Sequence, residues 1–196
     1  DIIEKALRQY AIVLSRRRAA YRAKGYVKYT WEVPADRFYK EDTNSVCPQI
    51  ENHALMPYIQ ENRVSSPEQK FTTFLEENTE YIDWWYKNGD SGKQHYAISY
   101  TNVNGDKALF YVDFVIRMKN GQVFLFDTKS EDSDKNAPCK HNALIDYIHS
   151  EENADKHLKG GVIIQSGENW KYCPLKIENT TDISGWDCFY PDEYKV

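Results

Sequence analysis

Hydrophobic residues are densest in two short runs near the middle of the chain, residues 109–118 and 122–129, and both runs are rich in Val, Ile and Phe. Aromatic and β-branched residues in such runs are typical of strands. The short polar stretch between the runs ends in Gly121, and glycine tolerates the positive φ that the third position of a three-residue hairpin loop requires. The pattern therefore predicts a β-hairpin with Asn120 at the centre of its turn.

The length of this loop decides which charged residues share a face of the hairpin. With Asn120 at the centre, Asp113 lies opposite Asp127, and Lys129 shares their face because it is two residues further along the strand. A two-residue turn would instead place Asp113 opposite Thr128, on the other face. The odd loop length thus predicts two carboxylates and an ammonium group together at one end of the hairpin.

Apolar residues occupy both faces of the predicted hairpin. One face carries Phe110, Val112, Phe114, Ile116, Phe124 and Phe126, and the other carries Val115, Val123 and Leu125. A sheet that is apolar on both faces is normally covered on both sides. The predicted fold class is therefore α/β, with helices on both faces of the sheet.

Helical periodicity marks three segments, residues 2–24, 66–78 and 142–158. The second has a strong start signal, because Ser66 can be the N-cap, Pro67 the first helical residue and Gln69 the reciprocal capping partner. We expect this helix to bury Phe71, and the segment at residues 2–24 to form an N-terminal helical extension.

Further strands are predicted at residues 26–33, 95–100, 161–165 and 170–173. The core then has the order helix, three strands, helix, strand. A helical connection between Lys129 and Gly161 suits a crossover between parallel strands, whereas the hairpin is antiparallel. We therefore expect a mixed sheet.

The chain length of 196 residues suits one domain with an appendage. We assign residues 1–60 to a basic helix and linker, residues 61–175 to the core, and residues 176–196 to a tail that packs on the core. Because the chain starts at Asp1 within a predicted helix and without Met, we expect it to be a fragment of a larger protein.

The net charge of −5 is distributed unevenly. The first 40 residues hold ten Lys or Arg residues and four acidic ones, a net of +6, which leaves −11 for the rest of the chain. Basic side chains beside an acidic body could follow a phosphate backbone. The same residues also suit a solvated helix face, and the sequence leaves both interpretations open.

The sequence has no apolar run close to the ~20 residues of a membrane span, and it has no signal-peptide pattern. Its four cysteines are scattered and form no C-x-x-C pair. They are typical of reduced thiols rather than of a zinc site or a disulfide framework. We therefore expect a cytoplasmic protein without a membrane partner.

The residues that could form a catalytic or metal site lie at the end of the hairpin. Asp113 and Asp127 would repel each other in a buried site unless a cation lies between them, and a divalent metal beside Lys129 would meet that need. A purely structural Asp–Lys pair at a strand end is the alternative. Glu68 lies three residues before Phe71, on the core-facing side of its helix, where it could reach the metal or interact with the helix dipole.

Other apparent motifs fail. Residues 132–136 open like a calcium-binding loop, but Ala137 stands where Gly is needed and Ala143 stands where the closing Glu is needed. The eight-residue spacing of the histidines at 141, 149 and 157 spreads them around a helix. The chain has no phosphate-binding G-x-x-x-x-G-K-[ST] sequence, so any ATP-driven motor lies outside it.

Asp113 followed by Asp127-Thr128-Lys129, with Glu68 on an earlier helix, resembles the D…(D/E)-x-K signature of restriction-endonuclease-like nucleases. Four longer stretches extend the likeness: SSPEQKF at 65–71, WWYKNGD at 84–90, YVDF at 111–114 and FDTKS at 126–130. Together they resemble the C-terminal endonuclease domain of the restriction subunits of type III restriction enzymes, over roughly residues 20–175.

This resemblance implies a restriction-endonuclease-like mixed sheet and metal-dependent hydrolysis of DNA phosphodiester bonds. Mg²⁺, for which Mn²⁺ can substitute, would be held by Asp113, Asp127, the backbone carbonyl of Thr128 and Glu68. Lys129 would position the attacking water or stabilise the transition state. The sequence departs from the family at Val112, where Pro is frequent, and in having Asp127 where Glu is frequent.

The implied partners are double-stranded DNA, a helicase motor on the same parent chain, and a separate modification subunit that recognises the DNA sequence. Two other functions stay open at this stage. The domain could be a catalytically inactive, nuclease-like module for DNA binding or docking. It could also be a metal-free structural module of a helicase assembly.

Overall fold

The structure, a computed structural model, describes residues 2–23, 49–50, 58–59, 65–89, 95–130 and 134–195. The strand predicted at residues 26–33 lies outside these ranges. Three α-helices are described, α1 (Ile2–Ala23), α2 (Ser66–Glu77) and α3 (Ala137–Ile148). None of these described helices combines the length and apolar character that crossing a bilayer requires.

The central element is a six-stranded mixed sheet. It contains β3 (Ile82–Lys87), β6 (Phe114–Met118), β7 (Val123–Lys129), β8 (Leu158–Ser166), β9 (Asn169–Tyr172) and β10 (Asp187–Cys188), in the order β10-β9-β8-β7-β6-β3. Strands β7 and β8 are parallel and the other neighbours are antiparallel. Two small pairs complete the described strands: β1 (Gln49–Ile50) with β2 (Tyr58–Ile59), and β4 (Ile98–Thr101) with β5 (Lys107–Phe110).

The predicted hairpin register is confirmed. Phe114 lies opposite Phe126, and the N–H of Met118 donates to the carbonyl of Gln122 over 2.9 Å. Gly121 has a φ of +89°, a conformation that glycine adopts without steric cost. The predicted crossover through a helix is also confirmed, because α3 connects the parallel strands β7 and β8.

The first arm of the hairpin is not the single strand that we predicted. It divides at residues 111–113, so that residues 107–110 form β5 with β4 as its partner, while β6 begins at Phe114. The buried side chain of Asn88 stabilises this break, because its Nδ2 donates to the carbonyl oxygens of Tyr96 and Val112 over 2.7 and 2.9 Å. The main sheet keeps the predicted order of helix, three strands, helix and strand, but its first strand is β3, which was not predicted. The predicted strand at residues 95–100 pairs with β5 outside this sheet. Strand β3, not the segment at 95–100, is the neighbour of β6.

Helices cover both faces of the sheet. On one face Phe71 of α2 meets Phe114 and Phe126 edge to face, with ring centroids 5.1 and 5.8 Å apart. On the other face Leu144 of α3 packs in a cluster with Leu125 and the β4–β5 hairpin. These layers give the α/β architecture that the two apolar faces of the hairpin predict.

Two helix starts differ from the prediction. The N-cap of α2 is Ser65 rather than Ser66, and its Oγ accepts a hydrogen bond from the N–H of Glu68 over 3.4 Å. Glu68, not Gln69, therefore occupies the third helical position. Helix α3 begins five residues before the predicted start at residue 142, because Pro138 lies in its first turn, where the missing N–H costs nothing.

The close approach of β8 to β7 depends on Gly160. Its φ is +141°, and a Cβ atom there would lie 2.0 Å from the carbonyl oxygen of Leu125. The backbone of β7 cannot move away without disturbing the sheet on both sides. Only glycine fits at this point of the parallel pair.

We predict that Gly160→Ala lowers the free energy of unfolding by about 2–4 kcal/mol, from backbone strain and overpacking together. Gly185→Ala is the matched control, because a Cβ atom there has open space around it, and it should change stability by less than ~0.5 kcal/mol. Urea unfolding followed by circular dichroism measures both. Equal stability of the two variants would contradict this account of the β7–β8 contact.

Candidate active site

The four predicted site residues lie around the end of the β6–β7 hairpin that is remote from its turn. Asp113 immediately precedes β6, Asp127 and Lys129 are on the last part of β7, and Glu68 is in the first turn of α2. Helix α2 carries Glu68 to this end of the sheet because Phe71 and Leu75 anchor its apolar face in the core.

The carboxylate of Asp113 is held by three groups. Its Oδ2 accepts hydrogen bonds from the N–H and the Oγ1 hydroxyl of Thr128 over 2.8 and 2.7 Å, and its Oδ1 lies 3.4 Å from Nζ of Lys87. Burial disfavours the charged form, but the lysine ammonium groups and the two Thr128 bonds outweigh it and lower the pKa of Asp113. Asp113 is therefore ionised at neutral pH.

Asp127 is in a different electrostatic state. Its side chain is 5% exposed, and its Oδ1 accepts a hydrogen bond from Nζ of Lys129 over 3.0 Å. Among the described residues, its buried Oδ2 has no hydrogen-bond partner. Burial, together with the negative charge of Asp113, raises the pKa of Asp127 to about 7.

Lys129 carries the positive charge on the Asp127 side of the site. Burial disfavours its ammonium form, but the attraction of Asp127 and Asp113 outweighs burial and raises the pKa of Lys129. Lys129 thus stays protonated at neutral pH. It can donate a hydrogen bond but cannot act as a base there.

The prediction that Asp113 and Asp127 share one face of the hairpin, with Thr128 on the other, is wrong. Asp113 accepts a hydrogen bond from the hydroxyl of Thr128, the side chain that was expected to point away from it. Asp113 also accepts a hydrogen bond from the backbone N–H of Thr128, the residue that follows Asp127 in the chain. Asp113 lies just outside the ladder because β6 begins at Phe114, and its carboxylate turns toward the backbone and hydroxyl of Thr128. Asp127 follows the strand alternation and shares the face of Leu125, the face that α3 covers.

Lys87, at the end of β3, was not identified from the sequence. It is 9% exposed, and its Nζ lies 3.6 Å from Oε2 of Glu68 and 3.4 Å from Oδ1 of Asp113. The ammonium also lies over the ring of Phe114, 5.0 Å from the centroid. The WWYKNGD stretch contains Lys87, but nothing in its spacing indicates that the side chain turns toward Asp113.

Glu68 reaches the cluster through Lys87. Burial and the charge of Asp113 raise the pKa of Glu68, although the ion pair with Lys87 opposes them. The expected cation beside Glu68 is thus an ammonium group of the chain itself. In the part of the chain that the structure describes, no group of three His, Cys, Asp or Glu side chains is arranged to hold a metal ion.

A cleft of about 410 Å³ opens beside Lys129, between the first turn of α2 and the ends of β7 and β8. It is lined by Ser66, Pro67, Lys70, Lys129, Ser130, Ile164 and Gln165. The lining carries two lysines and no carboxylate. An anionic group that entered the cleft would therefore meet Lys129, the lysine that also bonds Asp127.

His141 has a structural role. Its ring is buried, with one nitrogen accepting from the N–H of Val162 over 3.0 Å and the other donating to the carbonyl of Leu175 over 2.7 Å. Burial lowers the pKa of His141, which favours this neutral form. Cys139, Cys173 and Cys188 are free thiols, and Cys47 lies outside the described residues.

Comparison of the chain with known protein families, with curated proteins and with solved structures yields no match.

Because the pKa of Asp127 is high, removing its charge by mutation should change the stability of the fold by an amount that depends on pH. The ordinary value is 3.8 and the value in the folded chain is about 7, so the folded chain keeps a proton on Asp127 that the unfolded chain releases. The stability that comes from holding this proton is fully present below pH ~3.8 and is lost as the pH rises through about 7. With EDTA present, Asp127→Asn should raise the free energy of unfolding by about 4 kcal/mol at pH 8 and by about half as much at pH 5.5, where the folded chain still keeps the proton but the unfolded chain has released it.

Denaturant unfolding at both pH values measures this difference. Asp106→Asn, at an exposed turn position, is the control for effects of pH on the whole chain. The same change in stability at pH 5.5 and pH 8 for Asp127→Asn would contradict the electrostatic description of the site.

Proposed function

We propose that this chain is a metal-dependent DNA endonuclease domain with a restriction-endonuclease-like fold, part of the restriction subunit of a type III restriction enzyme or of a related helicase-nuclease. The observation that carries the proposal is the packing of Asp113 against the backbone of Asp127-Thr128-Lys129 at the end of a mixed sheet. The mixed sheet with helices on both faces supports it, because the sequence resemblance implies the same architecture.

The chemistry of the donor atoms suits a divalent cation. Asp113 is ionised, and beside it the Oδ2 of Asp127 is a buried oxygen without a hydrogen-bond partner among the described residues. Oxygen donors of this kind match a hard cation such as Mg²⁺, or Mn²⁺ in its place. Asp113 and Asp127 would hold the ion, with the backbone carbonyl of Thr128 as a further ligand. When bound, the ion polarises the phosphate and lowers the pKa of water.

The residues of the chain supply positioning and charge. The two hydrogen bonds from Thr128 fix the orientation of the Asp113 carboxylate. Lys129 can exchange its bond to Asp127 for one to a phosphate oxygen or a water in the adjoining cleft, where Lys70 and Gln165 would bind a neighbouring backbone phosphate. These contacts would stabilise the negative charge that develops during hydrolysis.

The DNA partner also has support in the charge of α1. The side chains of Lys5, Arg8, Arg16 and Arg17 are exposed on this helix. Their ammonium and guanidinium groups could bind phosphates without reading bases. The helicase motor, the separate recognition subunit and the cytoplasmic location follow from the resemblance and from the composition.

Lys87 favours a second candidate function. Its ammonium already pairs with both Glu68 and Asp113, so the cluster has a cation even without a metal. A nuclease-like module that binds DNA without cutting it would need only this internal cation and no metal ion. Metal binding separates the two functions, because only the endonuclease requires it.

We expect Mg²⁺ at ~100 times its dissociation constant to raise the free energy of unfolding by ~2.7 kcal/mol. Asp127→Ala should abolish this stabilisation, whereas Lys129→Ala should retain it. Differential scanning fluorimetry over a titration of MgCl₂ or MnCl₂ measures the effect, which does not depend on the motor or the recognition subunit. No metal-dependent shift, together with retained DNA binding, would favour the docking module.

In the assembled restriction enzyme, Asp127→Ala or Lys129→Ala should reduce DNA cleavage to background while circular dichroism remains that of the wild type. Lys119→Ala, in the exposed turn of the hairpin, is the matched lysine control and should cleave normally. Cleavage of a supercoiled plasmid provides the assay. Wild-type cleavage by a well-folded Lys129→Ala variant would remove Lys129 from the mechanism.

A further inference from the structure

The position of Lys87 bears on how many metal ions the site can hold. Its ammonium lies between two carboxylates, 3.6 Å from Glu68 and 3.4 Å from Asp113. Both acids face it from different elements, α2 and the residue before β6. A second divalent cation shared by Glu68 and Asp113 would have to enter this same space.

Lys87 is fixed in this place by its surroundings. It is 9% exposed, and its Cα is registered opposite Phe114, over whose ring the ammonium lies. A buried ammonium is costly to leave unpaired, so Lys87 cannot easily release both carboxylates. A dication beside it would meet the repulsion of a like charge at close range.

The other side of Asp113 has a different character. Its Oδ2 accepts hydrogen bonds from the N–H and the hydroxyl of Thr128, and the preceding residue, Asp127, has a buried Oδ2 without a hydrogen-bond partner among the described residues. The two oxygens of Asp113 thus have different partners: Oδ1 faces the ammonium of Lys87, and Oδ2 faces the neutral donors of Thr128.

We propose that the Lys87 ammonium takes the place of a second metal ion, so that the site binds one divalent cation, at Asp113 and Asp127. In this arrangement Lys87 is a positioning residue for Asp113. Glu68 is the partner that holds Lys87 rather than a metal ligand. The inference rests on the proposed function, since it concerns the number of ions at the same site.

Counting bound Mn²⁺ tests the inference without measuring catalysis. Isothermal titration calorimetry, with free Mn²⁺ followed by electron paramagnetic resonance, should give one ion per wild-type chain. Lys87→Met keeps an unbranched side chain of similar length but removes the charge, so Glu68 and Asp113 then face each other without a cation. We expect this variant to bind two Mn²⁺ ions.

Two further variants locate the second ion. The double variant Lys87→Met/Glu68→Gln should return to one ion, because the new pair of carboxylates is no longer complete. Glu68→Gln alone should still bind one ion, and it provides the test if Lys87→Met does not fold. Lys119→Met, in the exposed hairpin turn, controls for the loss of a lysine and should bind one ion.

The outcomes separate this inference from the proposed function. Two ions in the wild type, falling to one in Glu68→Gln, would overturn the inference and leave the nuclease proposal standing. A folded Lys87→Met variant that binds only one ion would also overturn it. No Mn²⁺ binding by the wild type would contradict the proposed function, and the inference with it.

Discussion

The hydrogen bond from the backbone N–H of Thr128 to the carboxylate of Asp113 is the contact on which the site depends. It occurs where the β6–β7 ladder ends, so a side chain provides the acceptor in place of a strand carbonyl. The chain can leave the sheet at this point because Asn88 bonds the carbonyl oxygens of Tyr96 and Val112. Without these substitutes, buried backbone groups would lack partners, at a cost of about 1–3 kcal/mol each. The break in the strand and the position of the acid are thus one structural feature.

The charged side chains around this contact form two separate groups. Glu68, Lys87 and Asp113 form a partly buried cluster in which one ammonium pairs with two carboxylates. Asp127 and Lys129 form a separate pair, in which one carboxylate oxygen has no hydrogen-bond partner among the described residues. The consequence is a difference in pKa between two neighbouring aspartates. Burial acts on both, but two ammonium groups and the Thr128 bonds favour the charged form of Asp113, whereas the negative charge of Asp113 disfavours that of Asp127.

The sequence contains enough information to predict the register of the hairpin but not the path of the chain before it. Gly121 at the third position of the loop determines which residues of the two strands face each other, and this is local information. The break at residues 111–113 depends on Asn88, which is distant in sequence and bonds backbone groups that no hydrophobic pattern marks. The same limit applies to Lys87, which a pattern-based analysis assigns to a strand without revealing its partners. The N-cap was misplaced by one residue because Ser65 and Ser66 are both suitable caps, and only the bond to the N–H of Glu68 distinguishes them.

The last described residues close the main core. Phe189 and Tyr194 pack against Phe124, with ring centroids 4.9 and 5.0 Å away, and β10 adds the outer strand beside β9. During synthesis these residues emerge from the ribosome after all the other core elements. Until these residues are synthesised, the sheet has an aromatic surface and a strand edge exposed to solvent. The incomplete sheet is therefore prone to aggregation and is a suitable substrate for a chaperone.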